Sequence, residues 1–361
     1  MHSLRKFRKE ILRGEIPGHK NLALRREFNR QLWNFRQNKQ RLAGGGGNTA
    51  LIVVDVQNCF LPGGGLPVMA GKPPLVAVAD LRKQEERRKE LLENIKKAIA
   101  DEQKQYKHMY FTKDMHPPGH ISFNRKPKFT ETENKDEAKY LIPGVLTRKY
   151  KYTNIDGDGE DRTHIQRLWP KHCQNPTPPE TPPATKVEAL DDEEFRNPQS
   201  KASADEGGIN LAVKKPTSTK SSVKVHEVYK GTDLNVDSYS AIFDALGRKT
   251  PYTVNEQGDE VKPFVDDLKY NKFTEIHVCG IARNVCVYFT FEDLIKARKT
   301  ELTDLKKIVF LYDATLPVVE GVPGLDFTHD DIISGVKQIL KETSQKAEVA
   351  KEGNDVVVTF E

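Results

Sequence analysis

Residues 50–60 read ALIVVDVQNCF, and the way this run is built points to the fold. Leu51 to Val54 form a short, unbroken apolar stretch rich in β-branched side chains, as expected of a strand covered on both faces; Asp55 follows at its end. Further along, the same strand reading holds at 108–112, 224–229, 275–281 and 307–312. Between the first two lies a long charged segment, Leu75 to about Lys107. Its Leu81, Leu91, Leu92, Ile95, Ala98 and Ile99 share one helical stripe. Helices are expected at 286–299 and 329–345, the second with Thr328 as its N-cap, and VVVTF at 356–360 reads as an added edge strand. Strands alternating with helices predict an α/β fold, a three-layer α/β/α arrangement around a mainly parallel sheet.

The chain has 361 residues, of which 37% are hydrophobic, enough for one large core or two modest ones. The net charge of +5 is uneven. Residues 1–42 hold twelve Lys or Arg against three Glu, so the remainder sums to −4. The first 47 residues therefore read as a basic extension ending in the glycine hinge Gly44–Gly47, ahead of one domain at 48–361. That extension reads three ways: a solvated helical tail, an arm contacting an acidic partner or anionic surface, or an organellar presequence, against which Glu10, Glu15 and Glu27 count. Residues 174–222 run from NPTPPETPP through EALDDEE to KKPTSTKSS, a composition that reads as a largely disordered insertion. No stretch has the length and apolarity of a transmembrane segment. The four cysteines have neither the density of a disulfide scaffold nor CxxC spacing, which predicts a reducing, intracellular setting, cytoplasmic first and organellar second.

Several side chains carry potential chemistry. Cys286 follows the apolar run EIHVCGI across a short turn and precedes a helix, where free N–H groups favour a thiolate; a lone cysteine there also fits a core position. Asp55 and Lys230 each close a strand, at the carboxyl edge where open α/β sheets place their sites, although carboxylates at strand ends also cap loops. Asp114 and His116 form a D-x-H pair after KHMYFT, with His120 and His172 further on. Imidazole and carboxylate together suit Zn, Fe or Mn.

Taken in order, ALIVVDVQNCF, TKDMHPPGHISF (112–123), WPKHC (169–173), VYKGTDLNVDSYSAIF (228–243) and VCGIARNVCV (278–287) resemble the nicotinamidase family of isochorismatase-like amidohydrolases. The resemblance spans roughly 48–173 and 223–320. It implies a general base at Asp55, a lysine partner at Lys230 and a nucleophile at Cys286, with an oxyanion hole from the N–H groups of Ala282 and Cys286 and a cis peptide before Ala282. It implies a divalent metal, zinc first and iron or manganese next, on Asp114, His116 and His172, with His120 behind them or as an extra ligand. Phe60, Trp169 and Tyr239 would wall the ring of nicotinamide, hydrolysed to nicotinate and ammonia in NAD salvage, and the protein could form a homo-oligomer. Two departures stand out: Cys59 replaces the second acid of the family's DVQNDF, and Arg283 and Asn284 replace the residues of its ATDxC. The competing readings are a hydrolase of another small amide and a degenerate scaffold that binds through its basic arm.

Overall fold

The structure is a computed structural model that describes residues 48–61, 65, 66, 68, 78–100, 106–123, 147–154, 161–175, 185–189, 223–254, 260–318 and 326–361. The basic extension, and most of the segment read as an insertion, lie outside the described residues. Two sheets are present among them. The larger has nine strands: β1 (Thr49–Val54), β2 (His108–Asp114), β6 (Lys224–Lys230), β7 (Tyr252–Val254), β8 (Glu260–Pro263), β9 (Glu275–Ile281), β10 (Lys307–Leu316), β11 (Ala347–Glu352) and β12 (Asp355–Phe360), in the order β11-β12-β10-β9-β1-β2-β6-β7-β8. The smaller joins β3 (Thr147–Asn154) to β4 (Asp161–Arg167) and β5 (Thr185–Ala189), all antiparallel.

The five central strands of the large sheet, β10-β9-β1-β2-β6, are all parallel, and antiparallel strands flank them on both sides. This is an α/β fold of three layers. Its four described helices are α1 (Val78–Ala100), α2 (Phe264–Asn271), α3 (Tyr288–Arg298) and α4 (His329–Thr343). Every residue of β1 is buried, as its unbroken apolar run requires. Leu91, Ile95 and Ala98 of the stripe on α1 are buried, while the side chain of Leu81 lies outside the described set. In α4, the Thr328 hydroxyl accepts from the Asp331 N–H and the Asp331 carboxylate accepts from the Thr328 N–H, a reciprocal cap.

From β1 the chain moves one way, to β2 and β6, and then returns to the other side of β1 with β9 and β10. The switch in direction falls between β1 and β9, and the crevice beyond their carboxyl ends is where open sheets of this kind bind ligands. At this junction the two strands run very close, with Gly280 beside Val54 (φ 121°), where a Cβ would collide with the Val54 backbone.

Three features differ from the sequence reading. The 356–360 run is not an edge: β12 lies between β10 and β11, and the edge strand is AEVAKE, whose polar character hid it. A two-residue turn with Gly353 at φ 62° joins the pair. Within 174–222, residues 185–189 form β5, paired with β3; its Thr185 and Val187 are β-branched, and a bias toward Pro and acidic residues around it masked so short a segment. Finally, two of the cysteines are joined, Cys59 to Cys173 across 114 residues of sequence. Spacing could not reveal this pair, because only the folded chain brings their loops together.

Candidate active site

Four strand ends supply the site. Asp55 follows β1 with φ 49°, a left-handed conformation that turns the chain sharply at the sheet edge. Its carboxylate accepts from the Thr112 hydroxyl at 2.5 Å, while its N–H donates to the Thr112 oxygen at 3.0 Å. Asp114 ends β2, and Gln57 grips its backbone from both sides: the Gln57 amide N donates to the Asp114 carbonyl (3.0 Å), and the Asp114 N–H donates to Gln57 Oε1 (2.8 Å). Lys230 ends β6 in register with Asp114, so the two side chains leave neighbouring strands side by side. Gly231 follows at φ 65°; a Cβ there would strike the His116 ring and the Asp114 carboxylate.

Lys230 is the hub. Its Nζ lies 2.9 Å from Asp55, 2.8 Å from Asp114, 2.9 Å from the Ser238 carbonyl oxygen and 3.6 Å from Cys286 Sγ. Burial alone would favour the neutral amine, but the carboxylates of Asp114 and Asp55 outweigh it and hold the Lys230 pKa well above its usual value. Burial raises the Asp55 carboxyl, an effect that Lys230 only partly opposes. Burial also pushes the Cys286 thiol up, against the pull of Lys230. The resting thiol is therefore protonated, beside a carboxylate whose proton affinity has been raised. That combination is what proton transfer between the two requires.

Cys286 sits in a π-helical turn, Arg283–Val287, which leads into α3, rather than within the helix itself. Such turns recur at functional sites because they redirect backbone groups. Here the N–H groups of Val285 and Val287 both donate to the Ala282 carbonyl. The Ile281–Ala282 peptide is cis. Arg283 and Asn284, the two departures from the resemblance just before Cys286, turn toward β10 and the residues around it. Arg283 stacks on Tyr312 (3.8 Å), donates to Thr315 and pairs with Asp326 at 3.1 Å, and Asn284 accepts from the Val318 N–H. Both act as braces for the β10 end of the sheet.

Asp114, His116 and His172 form a buried cluster whose potential ligand atoms all lie within 4.8 Å of one another. Each imidazole has its Nδ1 against a main-chain carbonyl, Gly231 at 3.0 Å for His116 and Pro170 at 2.7 Å for His172. A carbonyl only accepts, so Nδ1 carries the proton and each Nε2 lone pair is directed inward, 3.0 Å and 3.6 Å from Asp114 Oδ2. A carboxylate and two imidazoles converging in this way could hold a cation between them. The donor set fits a divalent metal. The pull of the Asp114 carboxylate on a proton at His116, which raises the His116 pKa despite burial, expresses the same convergence.

His120 stacks on His116 with ring centroids 4.0 Å apart. Its Nδ1 faces the hydroxyl of Ser122 at 2.7 Å and the Ser122 N–H at 3.4 Å, so this nitrogen accepts and the ring proton resides on Nε2. Phe60 lies 5.3 Å from the His172 ring, and Trp169 meets Tyr239 edge-on at 6.2 Å. The sequence reading missed two further aromatics: Phe123, packed edge-on against His116 and His172, and Phe289, stacked on Tyr239 at 5.6 Å. It also missed Thr112 and Gln57, whose signal was present in their positions beside Asp114 and Asp55.

No protein-family model matches the chain, and no curated protein matches it. Among solved structures, the chain is similar to the yeast nicotinamidase (23% identity, 82% of this chain and 96% of that one, TM-score 0.45). It is also similar to a nicotinamidase/pyrazinamidase of Acinetobacter baumanii (21%, 83% and 95%, TM-score 0.42) and to a zinc-bound pyrazinamidase of Pyrococcus horikoshii (19%, 82% and 94%, TM-score 0.39).

Proposed function

We propose that the chain is a metal-dependent amidohydrolase that converts nicotinamide to nicotinate and ammonia. The observation that carries this reading is the convergence of Asp55, Lys230 and Cys286, contributed by three separated stretches of chain, next to a buried Asp-His-His cluster joined to them through the Asp114–Lys230 ion pair. The motif resemblance supplies the substrate.

On this reading Asp55 takes the Cys286 proton as sulfur attacks the carboxamide carbon, and the Lys230 ammonium offsets the negative charge that develops. The N–H groups of Ala282 and Cys286 hold the oxyanion. The C–N bond breaks as Asp55 returns its proton to nitrogen, which releases ammonia and leaves a thioester. Water, deprotonated by Asp55, then attacks the acyl carbon; the C–S bond breaks, the thiol regains its proton, and nicotinate departs. Zinc, or iron or manganese in its place, held by Asp114, His116 and His172, would fix and polarise the ring nitrogen. Phe60, Trp169 and Tyr239 wall the ring. This activity belongs to NAD salvage in the cell interior.

The test is ammonia release from nicotinamide by the metal-loaded protein beside a Cys286→Ala control. Turnover should fall at least about 1000-fold in the control, as removal of a covalent nucleophile does. Absence of release from the intact protein, with other small amides hydrolysed in its place, would overturn the substrate assignment.

A further inference from the structure

We infer that the Cys59–Cys173 bridge positions the metal cluster: it holds the His172 segment against Asp114 and His116, so that affinity for a divalent cation depends on a bond outside the ligand set. Asp114 closes β2 and His116 stands two residues on, but His172 comes from a separate loop. Main-chain hydrogen bonds tie that loop to the β2 side. The His116 N–H donates to the Cys173 carbonyl at 3.0 Å, the Asn175 N–H to the His116 carbonyl at 2.8 Å, and the Trp169 N–H to the Ser122 carbonyl at 2.8 Å. The disulfide adds a tie to the β1 side. Cys59 lies in the short turn Asn58–Phe60, two residues beyond Gln57, whose amide grips the backbone of Asp114 from both sides. Cys173 directly follows His172. A closed circuit therefore runs from Asp114 through Gln57 and Cys59 to Cys173 and His172, and Phe60 of the same turn lies 5.3 Å from the His172 ring.

A ligand on a free loop must be ordered when the ion binds, whereas one already fixed by the fold carries no such cost at that moment. Cys173 holds a left-handed φ of 45°, rarely adopted outside glycine, so the chain turns sharply just after the ligand, and the bridge anchors that turn. Both cysteines are fully buried, which shields the bridge from thiol exchange in the folded chain and makes it a fixed part of the site. Cys59 is also one of the departures from the family that the motifs resemble. The thiol that stands there in place of an acid is what makes the bridge possible.

This inference rests on the reading of Asp114, His116 and His172 as metal ligands, and zinc titrations separate the two. Zinc affinity is measured by competition with a chromophoric chelator for the full-length wild type, Cys59→Ser, Cys173→Ala and the double variant, in which neither thiol of the bridge is left to bind zinc. Each single variant is expected to bind zinc roughly 10- to 100-fold more weakly, the range for partners that orient metal ligands. The double variant should bind no more weakly than either, because all three break one bond. The rise in unfolding temperature on adding zinc should shrink in the same variants. A merely structural staple would lower the unfolding temperature alike with and without zinc and leave zinc affinity unchanged, and that result would overturn the inference. So would weakening by Cys173→Ala without weakening by Cys59→Ser, which would assign the effect to the neighbour of His172 rather than to the bridge. Cys59→Ser carries the test should the double variant fail to fold. Absence of zinc binding by the wild type would instead sink the metal-site reading, and the inference with it.

Discussion

Two buried charged clusters share strands β2 and β6, one at the carboxyl ends and one near the starts, and only the first reads as a site. At the far end from Asp114 and Lys230, His108 and Tyr110 of β2, His226 of β6 and Asp267 of α2 form a network. His226 Nε2 is 3.0 Å from His108 Nδ1, the Tyr110 hydroxyl donates to Asp267 at 2.6 Å, and Lys262 Nζ pairs with Asp267 at 2.7 Å. Its rings stack on one another, and meet Phe264 at a tilt and Phe273 edge-on. Here each acceptor named has a donor, and the histidines stay neutral: burial lowers His226 and brings His108 down to about 3. At the carboxyl ends, by contrast, two imidazole Nε2 atoms converge on one oxygen of Asp114 and a thiol stands beside Lys230 and the carboxylate of Asp55. Burial of charge is common to both. What distinguishes the first is that side chains able to hold a cation converge there beside a thiol, a lysine and a second carboxylate.

The comparison breaks most sharply on metal binding. Equilibrium dialysis against zinc should find one ion per wild-type chain and at least about 100-fold weaker binding by His172→Ala, since even the outer partners of metal ligands are worth 10- to 100-fold. His226→Ala should leave the metal content unchanged. Equal losses in the two variants would erase the distinction between the clusters.

Stability comes next. Lys230→Met leaves the Asp55 and Asp114 carboxylates buried without their ammonium, which should cost about 3–5 kcal/mol in urea unfolding at neutral pH. An effect below about 1 kcal/mol would show that water reaches these groups freely.

The Cys59–Cys173 bridge ties the loop of Phe60 to the loop of His172. Closing so long a stretch of chain, it should contribute about 2–4 kcal/mol, so dithiothreitol should lower the unfolding midpoint of the wild type and leave that of Cys59→Ser unmoved. A midpoint indifferent to reductant in the wild type would mean that the bridge adds nothing.

The smallest effect belongs to the histidine network. His108 and His226 bind protons more weakly when folded, so the unfolded chain takes up more protons as pH falls below about 6.5, and stability declines from there toward pH 3. Between pH 7 and 5 the loss from His108, held down to about 3, should be about 2 kcal/mol, as 1.36 kcal/mol per unit of pKa shift implies, and His226 acts in the same direction. Thermal unfolding of His108→Phe should show a shallower slope over that interval. An identical slope would place the titrating groups elsewhere.

Much of this molecule was legible in its residues. The apolar run 51–54 specified a strand covered on both faces, because only a central parallel strand hides every side chain. The strand-end positions of Asp55, Asp114 and Lys230 followed from the same pattern, since the last residue of such a strand emerges at one edge of the sheet. Thr328 marked a helix start through a hydrogen bond that is local in sequence. The rest depended on long-range contact. That β12 is interior and β11 the edge was settled by pairing, which a run of valines does not encode. The Cys59–Cys173 bridge and the grip of Gln57 on Asp114 join segments far apart in the chain, and periodicity carries no information about which loops meet. Sequence determined which side chains would stand at the ends of strands; only the tertiary structure decided which lone pairs, protons and charges face one another there, because hydrogen-bond direction is set by where distant segments pack.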